Sequence, residues 1–210
     1  RASARGFGAY GFGQSPGGPG IRLSPYSTDM SVNDYTYGRT VPLTGPHHVG
    51  MVWATMLWEM TWDLIDAYGF DADVANAAGR AGNQIALNLV TEALRVQPCR
   101  PGFVEARTAI LFADRVLYEG AHLDLLWAAF ARRGLGASAQ QGDAQVNTDN
   151  VEAFDLPGGT ADVTPPAAVR DLSVVFSAAE AVQLAFIAPG DDGLIGRAAV
   201  YDIRYATTPI

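Results

Sequence analysis

Hydrophobic residues after position 47 recur at steps of three and four along the chain. This spacing places them on one face of an amphipathic α-helix. The apolar stripe of the first predicted helix consists of Val49, Val52, Trp53, Met56, Leu57, Met60 and Leu64. Glu59, Asp63 and Asp66 are expected off that face, and Gly69 is expected to end the helix. The tryptophans of this stretch favour core packing over a cofactor site, because its apolar residues follow the helical period.

Three further stripes with the same spacing predict helices over residues 83–96, 101–118 and 122–133. Pro101 suits the first turn of the third helix, since that position needs no backbone N–H donor. Arg132 and Arg133 close the fourth helix, where positive charge complements the helix dipole. The sequence therefore predicts a compact all-α unit over residues 47–136.

The hydrophobic period changes to two after Pro165 and Pro166, which is typical of β-strands. Three alternating runs are visible: Leu172, Val174 and Phe176; Val182, Leu184 and Phe186; and Tyr201, Ile203 and Tyr205. A turn-rich loop over residues 189–193 separates the last two runs. These runs predict three strands of a β-sandwich, too few to close its core.

Two segments lack either period. Residues 1–46 are rich in Gly, Pro, Ser, Tyr and Asn, which indicates a long loop region that its aromatic residues keep partly buried. Residues 137–166 are rich in Ala, Gln, Gly, Asp, Thr and Pro, which predicts an extended linker with one apolar anchor over residues 151–156.

Composition narrows the possible partners. The 210 residues carry a formal net charge of −8, which argues against nucleic acid as the main partner because phosphate binding needs stripes of Lys and Arg. Cys99 is the single cysteine, so the chain cannot form an intrachain disulfide framework. We expect Cys99 to be a buried structural residue. No apolar run is long enough to span a membrane.

The histidines His47, His48 and His122 are the first candidates for chemistry. No His-Glu-x-x-His motif or Cys/His cluster accompanies them, so the chain by itself predicts no metal ligands. His47 and His48 open the most apolar helix, where an imidazole either donates to a developing oxyanion or simply caps the helix. His122 begins the fourth predicted helix, and this position favours a role in the helix cap.

Arg22 lies in a loop of Pro, Ser and Tyr residues. Its fork of donors suits a clamp on a substrate carbonyl or carboxylate, and an ordinary structural arginine is the alternative. Asp29 either caps a turn or orders a histidine, and its short carboxylate side chain favours the turn.

Several segments together resemble the fungalysin family of metallopeptidases. Residues 21–38 read IRLSPYSTDMSVNDYTYG, residues 47–66 read HHVGMVWATMLWEMTWDLID, and residues 97–101 read QPCRP. Further matching residues follow in residues 106–114 and 127–136. The resemblance covers about residues 1–136.

The resemblance implies a thermolysin-like zinc site in which a His-Glu-x-x-His helix and a later Glu hold the metal. It places the histidine that steadies the tetrahedral intermediate at His47 rather than His48. It also implies that Arg22 contacts a substrate backbone carbonyl. One departure is Met51, which stands where the family usually has Glu. The zinc ligands are expected upstream of this chain, and the cofactor is expected to be zinc.

Residues 167–210 are similar to part of a fibronectin type III repeat of secreted enzymes. The fold prediction is thus mainly α: residues 1–140 form the carboxy-terminal helical lobe of a thermolysin-like metallopeptidase, residues 141–166 form a linker, and residues 167–210 form a partial all-β sandwich. The chain is accordingly expected to begin after the zinc ligands and to end inside the repeat.

The function that this resemblance implies is a secreted zinc metalloendopeptidase, which hydrolyses protein or peptide substrates with zinc-activated water. The 210 residues alone are expected to be inactive. A non-catalytic peptidase-like scaffold or adhesin module is the alternative, which Met51 and the absent zinc motif favour.

Overall fold

The structure is a computed structural model that describes residues 4–15, 18, 20–158, 167–178 and 181–190. The chain divides into two units, Arg1–Pro157 and Gly158–Ile210. The described part of the first unit contains four α-helices: α1 (Pro46–Tyr68), α2 (Gly82–Val96), α3 (Phe103–Tyr118) and α4 (Leu123–Arg132). The mainly helical architecture that the hydrophobic stripes predict is confirmed, with ends that shift by one or two residues.

Local chemistry explains where the helices begin and end. Pro46 occupies the first turn of α1, where a missing N–H costs nothing. Gly69 follows α1 with a φ of 77°, and its N–H donates to the Ile65 carbonyl at 2.8 Å. The third helix begins at Phe103 rather than Pro101, because the Glu105 carboxylate accepts the Gly102 N–H at 2.9 Å.

A hydrophobic core lies between the helices. Helix α1 packs on α2 and α4, and α2 packs on α3. The fully buried apolar side chains of the core include Met51, Met56, Met60, Leu64, Ile85, Leu89, Ile110, Leu126 and Phe130. Trp53 stacks on Phe130 at 6.0 Å between ring centroids and meets Phe103 edge-on at 5.6 Å. Trp53 therefore belongs to the core, as its position on the stripe predicts.

Residues 141–157 pack on the helical unit, which differs from the extended linker that their composition indicates. Val151 and Gln140 exchange two backbone hydrogen bonds of 2.9 Å. The Glu152 carboxylate accepts the Thr36 hydroxyl at 2.6 Å and the Gly38 N–H at 2.9 Å. A Cβ at Gly38 would lie 2.7 Å from the Glu152 carboxyl carbon, so a larger residue there would displace this carboxylate. Polar composition alone does not reveal such partners.

The described part of the second unit contains one β-hairpin. Strand β1 (Ser173–Ala178) pairs antiparallel with β2 (Ala181–Ala185), and Val174 lies opposite Leu184. All residues of both strands are exposed. The third predicted strand, around residues 201–205, lies outside the described residues. Across the described ranges, the helices lack the combination of length and hydropathy needed to traverse a bilayer.

Candidate catalytic site

His47 and His48 lie in the first turn of α1, and the structure distinguishes them. The His48 ring Nδ1 lies 3.1 Å from the Thr44 carbonyl oxygen, so His48 ties the helix start to the preceding loop. The His47 side chain is exposed, and within the described residues its ring makes no hydrogen bond. Of the two histidines, His47 is thus the one whose imidazole is available to a group outside this unit.

Arg22 lies beside an amino-terminal segment that folds back on its loop. The Ile21 N–H donates to the Phe7 carbonyl at 2.9 Å, and the Arg22 guanidinium carbon lies 4.8 Å from the Phe7 ring centroid. Gly20 permits this approach, since a Cβ there would meet the Phe7 carbonyl oxygen at 2.4 Å. The Arg22 Nε is buried without a hydrogen-bond partner in the described residues. The guanidinium is therefore held by its contact with the Phe7 ring.

The loop after Arg22 is organised by short polar side chains. The Asp29 carboxylate accepts the Ser31 hydroxyl at 2.7 Å and the Ser31 N–H at 2.8 Å, and these bonds lower the pKa of Asp29. Asp29 therefore shapes a turn, as its residue type favours. Asn33 is buried, and its amide donates to the Pro25 carbonyl at 2.9 Å and to the Thr55 hydroxyl of α1 at 3.2 Å.

A buried ion pair joins this loop to α1. Arg133, fully buried just after α4, donates from Nε to the Glu59 carboxylate at 2.9 Å. Its terminal nitrogens donate to the Asn33 carbonyl at 2.6 Å and to the Ser27 carbonyl at 2.7 Å. Glu59 is also fully buried, which differs from the predicted position of this carboxylate off the core face.

Arg132 adds a second cation to the same acidic cluster. Its guanidinium contacts Glu59 and lies 3.3 Å from the Asp63 carboxylate, which is also buried. Burial works to lower the pKa of Arg132, but the hydrogen bonds and charges of Glu59 and Asp63 outweigh it and raise that pKa. The helix-dipole interpretation of the two arginines missed this role. The sequence shows a Glu and an Asp four residues apart on α1 and two adjacent arginines at the end of α4, but it does not show that they meet.

A cleft of about 490 Å³ opens at the amino-terminal end of α1. Its walls include Pro46 and Val49, which flank the two histidines in the chain, together with Tyr37, Phe103 and Asn150. Burial, followed by the charge of Asp149, raises the pKa of Tyr37 to about 12. Tyr37 is thus neutral at physiological pH.

His47 and Arg22 belong to different segments of the same unit. Within the described residues, no hydrogen bond, ion pair or ring contact joins them. The structure connects them indirectly, because Glu59 lies on the helix that carries His47 and Arg133 binds the loop that follows Arg22.

His122 lies in a separate place, just before α4, and is buried. Its ring Nδ1 lies 2.6 Å from one Asp114 oxygen, and its backbone N–H donates to the other oxygen at 3.0 Å. The rings of Tyr68 and Tyr118 each meet it edge-on at 4.9 Å. The cap position is as predicted, but sequence reasoning missed Asp114 as its partner.

Zinc does not fit the residues described in this chain. Among them, no group of three His, Cys, Asp or Glu side chains is close enough together to hold a metal ion. Cys99, expected to be buried, is exposed because it lies between the ends of α2 and α3. The described part of the chain thus offers the His47 imidazole and, on a separate segment, the Arg22 guanidinium, but not a metal-binding set.

Comparison with known proteins gives the family. The sequence model of the fungalysin metallopeptidase family (M36) matches residues 1–139. The chain is 43% identical over 145 residues to the extracellular metalloproteinase MEP of Fusarium vanettenii and 40% identical over 144 residues to extracellular metalloproteinase 2 of Arthroderma gypseum. Each match covers 67% of this chain and 22% of the relative's length. It is also 42% identical over 144 residues to the extracellular metalloproteinase MEP of Neosartorya fischeri.

The matched region therefore contains the four helices, the His47 turn and the loop that carries Arg22. A family match of this extent does not depend on one short motif. The chain belongs to the fungalysin metallopeptidase (M36) family.

Proposed function

We propose that this chain is the carboxy-terminal part of a secreted zinc metalloendopeptidase that acts on protein or peptide substrates. Two observations support the proposal: the family membership and the names of the relatives, which are extracellular metalloproteinases. In the proposed organisation, residues 1–157 form the helical lobe together with the segment that packs on it, and residues 167–210 form a further module. Secretion follows from the same relatives.

His47 is the proposed oxyanion donor of the reaction. The observation that carries this role is its exposed imidazole, which is free of hydrogen bonds within the described residues while neighbouring His48 is tied to Thr44. The helix fixes the position of the His47 backbone, and one such hydrogen-bond donor stabilises an oxyanion by roughly 3–4 kcal/mol. His47 thus contributes to the transition state and not to metal binding.

Arg22 is the proposed substrate-binding residue. Its guanidinium rests on the Phe7 ring, and its planar fork of donors suits a backbone carbonyl of the substrate. A planar fork held by a ring loses little side-chain entropy when it binds an oxygen.

The metal of the proposed enzyme is zinc, with its ligands outside this chain. The residues described here do not fit a zinc site, so the proposed contribution of this chain is limited to the hydrogen-bond donors His47 and Arg22. The family's zinc would supply Lewis-acid chemistry at the scissile carbonyl.

Zinc content and peptide hydrolysis, measured side by side on the complete protein and on residues 1–210 alone, test this function. We expect one zinc ion and hydrolysis that a chelator abolishes for the complete protein, and neither for the 210 residues. Hydrolysis by the 210 residues would contradict the division of the site.

The alternative function is a non-catalytic scaffold or adhesin module. Met51, where the family usually has Glu, is the observation that favours it, and this side chain is buried in the hydrophobic core. A complete protein without His-Glu-x-x-His upstream of Arg1, and without zinc or activity in the same assay, would support the scaffold.

The proposed module over residues 167–210 is a partial fibronectin type III-like sandwich. The β1–β2 hairpin supports this proposal, because its exposed Val174, Phe176 and Leu184 need a second layer to cover them. Hydrogen exchange of the β1 and β2 amides in the complete protein tests it. Strong protection is expected, and exchange as fast as in an unfolded chain would rule the sandwich out.

A further inference from the structure

The Arg133 side chain makes more long-range contacts than its place at the end of a helix requires. Its nitrogens bind the Glu59 carboxylate at 2.9 and 2.7 Å, the Asn33 carbonyl at 2.6 Å and the Ser27 carbonyl at 2.7 Å. A longer contact of 3.5 Å reaches the Tyr35 carbonyl. These partners lie between 74 and 106 residues away in the chain.

We propose that Arg133 is a positioning residue for catalysis: it fixes the loop that carries Arg22 against the helix that carries His47. This inference rests on the proposed function, in which both residues act on the substrate. Arg133 itself is fully buried, so it acts through the segments that it joins and does not touch the substrate.

The contacts of Arg133 with Glu59, Ser27 and Asn33, here called the clamp, require a guanidinium. Its planar fork points donors in several fixed directions at once, here toward a carboxylate and toward carbonyls on two sides of the loop. A lysine would keep the charge but gather its three donors on one nitrogen, so it could not satisfy Glu59, Ser27 and Asn33 together. Replacement by lysine therefore removes the fork while preserving the charge.

The clamp reaches the Arg22 side of the loop through short connections. Asn33, whose carbonyl Arg133 binds, donates from its side chain to the Pro25 carbonyl and to Thr55 of α1. Tyr26, which follows Pro25 in the chain, pairs with Arg5 through backbone hydrogen bonds of 2.8 and 2.9 Å. The backbone of Arg133 also takes part, because its carbonyl accepts the Tyr37 N–H at 2.8 Å.

Arg107 offers a matched control elsewhere in the same unit. It is also buried, and its guanidinium also binds backbone carbonyls, those of Leu135 and Gly136. It packs over the Trp127 ring at 4.5 Å and makes no hydrogen bond to the loop of residues 20–37 in the described structure. Arg107→Lys should therefore disturb packing and stability without shifting Arg22.

The test compares Arg133→Lys with Arg107→Lys in the complete, zinc-loaded protein, at a temperature where both are more than 95% folded. We expect Arg133→Lys to lower kcat/KM at least tenfold more than Arg107→Lys does, mainly through a higher KM, with unchanged zinc content. Equal kcat/KM values within twofold at equal folded fraction would overturn the positioning role and leave the proposed function intact. If the complete, unsubstituted protein were inactive and lacked a zinc motif, both the positioning role and the proposed function would be contradicted.

A second measurement keeps the inference testable should Arg133→Lys fail to fold. Glu59→Gln preserves the side-chain volume and an acceptor oxygen but removes the charge that holds Arg133. We expect faster hydrogen exchange at the amides of residues 26–37 in this variant, with those of α3 unchanged. Uniform faster exchange across the whole helical unit would indicate a general structural role only and would count against the inference.

Discussion

Two buried carboxylates in the helical unit are compensated in different ways. Glu59 pairs with Arg133, which is 74 residues away and also binds the loop that carries Ser27 and Asn33. Asp114 pairs with His122, only eight residues away, and closes the turn between α3 and α4. The first pair assembles distant segments, whereas the second finishes a local connection. The burial of a carboxylate alone therefore does not reveal how much of the fold depends on its ion pair.

The physical difference lies in what each cation satisfies. Arg133 fills its donors with one carboxylate and several carbonyls, so its removal disturbs several buried acceptors at once. His122 contributes one ring nitrogen, and its backbone N–H would remain bound to Asp114 if the ring were changed. We therefore expect the two pairs to differ in their contribution to the free energy of unfolding.

The largest expected effect is that of Arg133→Met. It leaves the buried Glu59 carboxylate with one cation fewer and strands the carbonyls of Ser27 and Asn33. Breaking a buried pair in this way costs about 3–5 kcal/mol of unfolding free energy. Urea unfolding followed by circular dichroism measures it, and a loss below about 1 kcal/mol would show that the clamp does not hold the fold.

A smaller effect is expected for Asp114→Asn. The asparagine carbonyl oxygen can still accept one of the two bonds from His122, so about 1–3 kcal/mol should be lost. The same urea experiment gives this value beside that of Arg133→Met. A larger loss for Asp114→Asn than for Arg133→Met would reverse the comparison, and the short-range pair would then be the more important one.

The helices could be predicted from the sequence because each has a full apolar stripe. The paired charges could not, since Glu59 and Asp63 look like solvent-facing residues until α4 is placed against them. A carboxylate is expected on the surface unless its partner is known, and that partner lies about 70 residues further along the chain. The polar contacts of residues 141–157 escaped prediction for the same reason, because Glu152 finds its donors at Thr36 and Gly38.

Prediction of the candidate site from the sequence meets a similar limit. Residue types and family resemblance single out Arg22 and favour His47 over His48, but neither shows what physically distinguishes the two histidines. The contact between His48 and the Thr44 carbonyl makes that distinction, and it depends on how the loop enters α1. The resting place of Arg22 on Phe7 likewise depends on Gly20, which lets two loop segments meet.

The most direct test of the central claim compares His47→Ala with His48→Ala in the complete protein. His47→Ala should lower kcat by about 100- to 1,000-fold with one zinc ion still bound, because one oxyanion donor is lost. His48→Ala should change kcat only a few-fold, since that ring binds the Thr44 carbonyl. Loss of zinc in His47→Ala, or equal kcat values in the two variants, would contradict the account.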